Sequence, residues 1–135
     1  MSYLLDTNIC IHLFKGHDGL VSKLDSVGLN SCYLSEITIL ELMFGVENSA
    51  ASRRSANRDN LDWLRAAFSG RILLVGECFE EYARQKVALR QAGLPTGEFD
   101  LLIGSTAVSG DLTLVTRNTR DFRNLANIRL ENWVD

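Results

Sequence analysis

A β–α unit lies near the N-terminus, in Tyr3-Leu4-Leu5-Asp6-Thr7-Asn8-Ile9-Cys10-Ile11-His12-Leu13-Phe14. The apolar run Tyr3–Leu5 predicts a short buried strand. Asp6-Thr7-Asn8 supplies the polar turn and the capping group with which helices begin, and the residues from Ile9 to Phe14 predict a helix that ends near Gly16. An acid, Asp6, therefore directly follows a strand.

The same alternation of strand and helix continues along the chain. The patterns predict strands near 31–35, 71–75, 112–116 and 128–130, and helices near 18–27, 35–45, 57–68, 78–91 and 99–108. This order is typical of an α/β fold, here three α/β/α layers with a mainly parallel central sheet. Ligands of such sheets bind at the carboxyl ends of the strands, near the point where the strand order reverses.

Two of the predicted helices carry an acid among apolar residues. The segment Ser35-Glu36-Ile37-Thr38-Ile39-Leu40-Glu41-Leu42-Met43-Phe44-Gly45 is apolar nearly all round, which predicts a buried helix with Ser35 as its N-cap. Glu41 lies in this helix. Asp100 opens the helix that ends near Val108, whose small residues permit close packing.

Composition and cysteine usage bound the class of protein. The chain has 135 residues, of which 46% are apolar and 23% charged, so neither a disordered tail nor a fibrous protein is indicated. No apolar run approaches the roughly 20 residues that span a bilayer, which predicts a cytoplasmic protein that does not insert into a membrane. Cys10, Cys32 and Cys78 are odd in number and have no C-x-x-C spacing, so we expect them to be buried and reduced.

Positive charge is concentrated in two stretches of an acidic chain. The net charge is −3, yet residues 52–71 hold five arginines against two aspartates and residues 117–129 hold four against one. Such stretches are compatible with a polyanion bound on one face and equally with ordinary solvated surfaces. Apolar residues in the helices near 8–14 and 36–68 predict a groove or a self-association surface.

Four acids stand out by position: Asp6, Glu41, Asp100 and Asp121, the last in a polar loop after the strand 112–116. Each aspartate alone is compatible with a helix cap, and Glu41 with a paired surface acid. The predicted topology, however, brings all four to one edge of the sheet, where two carboxylates about 5 Å apart repel by about 3 kcal/mol at a dielectric of 20. A hard divalent cation removes this repulsion. Oxygen ligands without suitably spaced His or Cys favour Mg²⁺ or Mn²⁺ over zinc.

These segments resemble the four ordered motifs of PIN-domain ribonucleases, and in particular VapC-type toxins of bacterial toxin–antitoxin modules. The similarity covers essentially the whole chain, 1–135, as a single PIN-like nuclease domain. It lies in Tyr3-Leu4-Leu5-Asp6-Thr7-Asn8-Ile9, Glu41-Leu42-Met43-Phe44-Gly45, Phe99-Asp100-Leu101-Leu102-Ile103-Gly104, Leu114-Val115-Thr116-Arg117-Asn118-Thr119-Arg120-Asp121-Phe122 and Arg129-Leu130-Glu131-Asn132-Trp133.

The resemblance implies a Mg²⁺- or Mn²⁺-dependent endoribonuclease that cleaves RNA, such as a tRNA, by metal-activated water. It also implies a cognate antitoxin whose C-terminal segment covers the active site, and a homodimer within a larger toxin–antitoxin complex. The expected catalytic and metal-binding residues are Asp6, Glu41, Asp100 and Asp121. The expected supporting residues are Thr7, Thr116, Asn118 and Glu98, and the expected contacts to RNA or antitoxin are Arg53, Arg54, Arg58, Arg117 and Arg120.

Other classes of protein also gather acids at strand ends. A response-regulator receiver or a phosphatase of the haloacid dehalogenase type would be phosphorylated on Asp6. The receiver normally needs a lysine after its last strands, but Lys86 is the last lysine here and lies in a predicted helix. The phosphatase needs a second acid two positions after the first, where this chain has Asn8. A non-toxin PIN-like nuclease acting on structured DNA or RNA would share the metal chemistry.

Overall fold

A five-stranded, wholly parallel sheet forms the centre of the protein, in a computed structural model that describes residues 1–135. The strands are short, with two to four residues each. They are β1 (Tyr3–Leu5), β2 (Cys32–Ser35), β3 (Ile72–Leu73), β4 (Thr113–Val115) and β5 (Leu130–Glu131).

Seven α-helices connect and flank these strands. They are α1 (Thr7–Phe14), α2 (Asp18–Val27), α3 (Glu36–Glu47), α4 (Ala51–Ala67), α5 (Phe79–Ala92), α6 (Glu98–Ser109) and α7 (Thr119–Phe122). None of them is both long enough and apolar enough to cross a bilayer. The predicted α/β architecture with a parallel central sheet is confirmed.

In the strand order β3-β2-β1-β4-β5, the order in which strands are added to the sheet reverses between β1 and β4. From β1 the chain moves outward through β2 and β3, then returns to the other side of β1 for β4 and β5. Tyr3 therefore pairs with Cys32 on one side and with Thr113 on the other. The crevice between the carboxyl ends of β1 and β4 is where such a sheet binds ligands.

Alternation along the strands divides the apolar core between the two faces of the sheet. Leu5 and Val115 pack in the larger core with α1, α2, α3 and α4, and Trp133 contributes to it with an edge-to-face contact to Tyr3. Leu4 and Leu114 point to the opposite face, toward α6 and α7. Side chains on both faces of the sheet therefore fix the positions of β1 and β4.

Glycine allows α7 to pack tightly on α6. A Cβ atom at Gly104 would lie 2.4 Å from Leu125 Cδ2 and 3.4 Å from a ring carbon of Phe122. Phe122 and Leu125 are themselves almost fully buried. This contact fixes the α7 segment, with Asp121, beside the helix that carries Asp100.

The structure corrects several expectations. The helix α3 is not buried all round, because Leu40, Met43 and Phe44 are 48%, 43% and 68% exposed. The helix α4 begins six residues earlier than its amphipathic pattern indicates, and Asp121 lies in the short helix α7 rather than in a loop. The differences at α4 and α7 share a cause, since polar helix termini and one-turn helices have no apolar periodicity.

The three cysteines are buried and unpaired, as predicted. Burial, with a smaller contribution from the negative charge of Asp6, raises the pKa of the Cys10 thiol. A thiol in that environment stays protonated and is a poor nucleophile. Cysteine chemistry is therefore not a feature of the site.

Candidate active site

Asp6 is held at the end of β1 by donors from three residues. Its Oδ2 accepts from Thr116 Oγ1 at 2.8 Å and from Asn8 Nδ2 at 3.2 Å, and its Oδ1 accepts from the Thr7 amide at 2.8 Å. The side chain is only 5% exposed. Burial raises the pKa of Asp6 above its ordinary value, the hydrogen bonds from Thr116 and Thr7 act in the opposite direction, and Glu41 and Asp121 raise it further.

Glu41 is held by a chain of hydroxyl groups. Thr7 Oγ1 lies 2.6 Å from Glu41 Oε1 and 3.0 Å from Thr38 Oγ1. The Thr7 hydroxyl has a single proton and the carboxylate can only accept. Thr7 therefore donates to Glu41 and accepts from the fully buried Thr38, which fixes the carboxylate one helical turn further along α3.

Asp100 and Asp121 complete the group from the other face of the sheet. Asp100 lies in the first turn of α6 and is partly exposed. Burial and then the charges of Asp6, Asp121 and Glu41 raise the pKa of Asp100 to about 6. The structure thus brings the other three predicted acids close enough to Asp100 to raise its pKa, and none of the four belongs to an ion pair.

The donor chemistry of this group fits a hard divalent cation. Four carboxylates without an ion-paired cation carry a repulsion that an ion between them would relieve. No three acids, histidines or cysteines meet closely enough to enclose an ion by themselves. This spacing remains compatible with Mg²⁺, which usually keeps several waters and binds through one or two carboxylates.

Asn8 is a site residue that the sequence analysis missed. Its Nδ2 lies 3.2 Å from Asp6 Oδ2 and 3.3 Å from Thr116 Oγ1, while its Oδ1 accepts from the Arg117 amide at 3.2 Å. Asn8 therefore joins the end of β1 to the segment after β4. Its position two residues after Asp6, in the first turn of the helix that follows β1, was the available signal.

Thr38 was missed as well. A hydroxyl residue in an otherwise apolar stretch of α3, three positions before Glu41, was the signal for it. Its hydroxyl contacts Thr7, and through Thr7 it is linked to Glu41.

Two of the predicted supporting residues lie differently from Thr7 and Thr116. Asn118 donates its backbone N–H to Thr116 Oγ1 at 3.0 Å. Glu98 faces α5, where its Oε1 pairs with Lys86 Nζ at 2.7 Å and its other oxygen accepts from Tyr82. These contacts lower the pKa of Glu98, with the Lys86 hydrogen bond as the largest cause. The structure does not bring Glu98 into the acidic group.

The arginines of the first basic stretch lie on α4, except for Arg71, which follows it. Arg53 lines a groove between α1, α3 and α4, together with Glu41 and the apolar side chains of Ile11, Phe14, Leu42, Val46 and Leu61. Arg54 donates to the Ser49 carbonyl, and Arg58 pairs with Glu47 at 2.7 Å. The predicted groove is present, and we call it the α1–α3–α4 groove.

The second basic stretch has different surroundings. A broad concave surface, which we call the arginine depression, is lined by Arg117, Asn118, Thr119, Arg120, Asp121 and Arg123, with Leu130 as its one apolar residue. Arg117 Nε pairs with Asp135 at 3.2 Å. The first basic stretch thus borders the acidic group at an apolar groove, and the second borders it at a polar surface.

Comparison with known proteins places this geometry in a family. The sequence matches the PIN domain family over residues 3–128. It is 35% identical to Ribonuclease VapC2 of Rickettsia felis and 32% identical to the tRNA(fMet)-specific endonuclease VapC of Shigella flexneri, with 98% of each chain covered in both cases.

Solved structures give the same result. The crystal structure of VapBC2 from Rickettsia felis bound to a promoter DNA fragment superimposes with a TM-score of 0.87 and 33% identity, covering 98% of this chain and 99% of the other. DNA-bound VapBC from Salmonella typhimurium superimposes with a TM-score of 0.89 and 27% identity, covering 98% of each chain. A structure described as a toxin–antitoxin complex from Klebsiella pneumoniae superimposes with a TM-score of 0.62 and 31% identity, covering 94% of this chain and 95% of the other.

Proposed function

The chain belongs to the PIN domain family, and on that premise we propose that it is a Mg²⁺- or Mn²⁺-dependent endoribonuclease, the toxin of a toxin–antitoxin pair. The observation that carries the proposal is the group of Asp6, Glu41, Asp100 and Asp121 at the carboxyl edge of β1 and β4, unpaired with any cation. Membership of this family leaves no support for phosphorylation on Asp6.

The acids would hold the ion and the water around it. A bound Mg²⁺ supplies a positive charge against the developing oxyanion and lowers the pKa of a coordinated water. Asp6 and Asp100 would be ligands, with Asp6 held in one orientation by Thr116, Asn8 and the Thr7 amide. Glu41, fixed through Thr7, would bind the ion or orient water, and Asp121 would extend the same group.

The experiment is a cleavage assay on a tRNA pool, because the Shigella relative is named for a tRNA. We expect cleavage with Mg²⁺ or Mn²⁺, no cleavage in EDTA, and no cleavage by Asp6→Asn. Asp25→Asn, a change at an exposed acid of α2, is the matched control and should cleave normally. Undiminished cleavage in EDTA or by Asp6→Asn would reject the metal mechanism.

The antitoxin would occupy the α1–α3–α4 groove. Its apolar lining suits the apolar face of a peptide segment, and Glu41 at its edge lets that segment end at the acidic group. Ile11 is 40% exposed in α1, so Ile11→Asp should weaken inhibition without unfolding the protein. Inhibition is measured with a candidate antitoxin cloned from the neighbouring reading frame, and unchanged inhibition would place the partner elsewhere.

Self-association would use the exposed edge of α3. Leu40 and Phe44 lie one turn apart on this edge, and the Val75 amide donates to Glu36 at 2.7 Å, which brings Leu74, 59% exposed, toward the start of the same helix. Contiguous exposed apolar groups mark interaction surfaces. Light scattering should give twice the chain mass of 15.1 kDa for the unaltered protein and for Val87→Lys, and the single-chain mass for Phe44→Arg.

A further inference from the structure

The arginine depression adjoins the acidic group through a shared residue. Asp121 lines the depression and also belongs to the four acids that affect one another. A ligand that occupied the depression would therefore continue directly into the site. The depression lies on the α7 side of the acids, whereas Arg53 lies on the side of α1, α3 and α4.

Arg120 and Arg123 are the free cations of this surface. Both are exposed and neither makes an ion pair or a side-chain hydrogen bond within the chain, in contrast to Arg117, which Asp135 engages. Arg123 has helical backbone angles (φ −63°, ψ −18°) at the end of α7. Residues three apart on a helix lie on the same face, so the two side chains extend from the same side of α7, and both line the depression.

The platform under these arginines is rigid. Phe122, between them in sequence, is 1% exposed and packs on α6, where Gly104 has no side chain to hold the segment away. Leu125 is 3% exposed and closes the same contact. The backbone that carries the two arginines is therefore fixed relative to Asp100 before any ligand binds.

The lining chemistry selects a polar anion. Six of the seven lining residues are polar or charged, so a peptide could bury almost no apolar surface there. Arginine guanidinium groups with hydroxyl and amide neighbours such as Thr119 and Asn118 are instead suited to phosphate oxygens. Asp121 is the single acid among them, and it belongs to the proposed metal site.

We propose, resting on the ribonuclease function proposed above, that the arginine depression binds backbone phosphates of the RNA strand next to the cleaved bond, through Arg120 and Arg123. The two cations position the strand without selecting its sequence, because phosphate contacts do not distinguish bases. RNA thereby approaches the acids from the α7 side, and the arginines of α4 do not contact it.

The test measures RNA affinity as a function of salt. A fluorescein-labelled tRNA transcript is titrated with protein carrying Asp6→Asn, which prevents cleavage, in KCl from about 50 to about 200 mM. Adding Arg120→Gln and Arg123→Gln together should weaken binding about tenfold and reduce the slope of log K against log[KCl] by about 1.4 to 2, as expected for two lost phosphate contacts. Arg65→Gln with Arg90→Gln, two exposed arginines outside the groove and the depression, should leave the slope unchanged.

Three results would overturn the inference. One is an unaltered slope in the Arg120 and Arg123 double variant while the parent protein binds RNA. Another is a reduced slope in Arg53→Gln with Arg54→Gln, which would place the strand along α4. The third is a double variant that binds RNA normally but escapes the antitoxin, which would assign the depression to the protein partner. If the unaltered protein neither binds nor cleaves tRNA, the proposed function fails together with the inference.

Discussion

The four acids of the site fall into two pairs that the protein supports differently. Asp6 and Glu41 receive hydrogen bonds from Thr116, Asn8 and Thr7, so their carboxylates are oriented before any ligand arrives. Asp100 and Asp121 lie on α6 and α7 and receive no side-chain hydrogen bond. They are placed only by the packing of the two helices that carry them.

This difference separates orientation from charge. The carboxylates of the first pair are held in fixed orientations, and the hydrogen bonds that they accept partly offset the cost of burying negative charge. The second pair has no such donors, so burial and then the charges of the neighbouring acids raise the pKa of Asp100 without an opposing hydrogen bond. A bound cation would relieve the charge of both pairs, because the pKa of Asp6 is raised as well, but only the first pair has donors that orient it.

The largest test of this contrast compares Asp6→Asn with Asp100→Asn. Both should reduce cleavage more than about 100-fold, beyond the usual effect of a residue that only supports a ligand. Their metal-free stabilities should differ. Asp100→Asn removes repulsion and should raise the melting temperature by a few degrees, corresponding to about 1 kcal/mol. Asp6→Asn turns its NH2 group either toward the Thr7 amide or toward the donors of Thr116 and Asn8, so it should not raise the melting temperature.

Calorimetry of the two variants in EDTA measures this difference. A melting temperature raised equally in both would show that the hydrogen bonds to Asp6 contribute nothing to the distinction. A lowered melting temperature for Asp100→Asn would show that its carboxylate has a stabilising partner.

A smaller effect is expected from Thr116→Val. The substitution keeps the shape but removes the hydroxyl that donates to Asp6 Oδ2 and accepts from the Asn118 amide. We expect a 10- to 100-fold loss of Mn²⁺ affinity or activity and about 1 to 3 kcal/mol of lost stability. Thr113→Val, at a buried threonine of the same strand whose hydroxyl has one 3.4 Å contact with Arg129, is the control. Equal losses in both variants would mean that the loss comes from replacing any buried threonine in this segment and not from the contact between Thr116 and Asp6.

The sequence named the acids of both pairs, although it placed Asp121 in a loop rather than on α7. Asp6 follows an apolar strand and Glu41 lies in an apolar helix, so local patterns located both of them and Thr116 at the end of β4. Asn8 and Thr38 were missed because their roles depend on contacts 108 and 31 residues apart in the chain. The exposure of apolar side chains on α3 was missed because buried core residues and exposed interface residues give the same apolar sequence pattern.

Packing of the second pair is tested at Gly104. A valine there would overlap Leu125 and Phe122 and displace α7 with Asp121. We expect about 1 to 3 kcal/mol of lost stability and a severalfold loss of activity. Gly45→Ala, in α3 with nothing within 4 Å of the added Cβ, should instead stabilise the protein by about 0.5 to 1 kcal/mol. Normal activity of folded Gly104→Val would show that the position of Asp121 tolerates movement of α7.

The smallest effect concerns pH and the metal-free protein. The pKa of Asp100 is raised from 3.8 to about 6, so the folded chain binds this proton more tightly than the unfolded chain does. Its stabilising effect is complete below pH 3.8 and is lost as the pH rises through about 6. Because the carboxylate is partly exposed, solvent screening reduces the effect to about 1 kcal/mol. In EDTA, unaltered protein should therefore lose more stability between pH 4 and pH 7 than Asp100→Asn does. Identical pH profiles of the two proteins would show that the pKa of Asp100 is not raised by its burial and by the neighbouring acids.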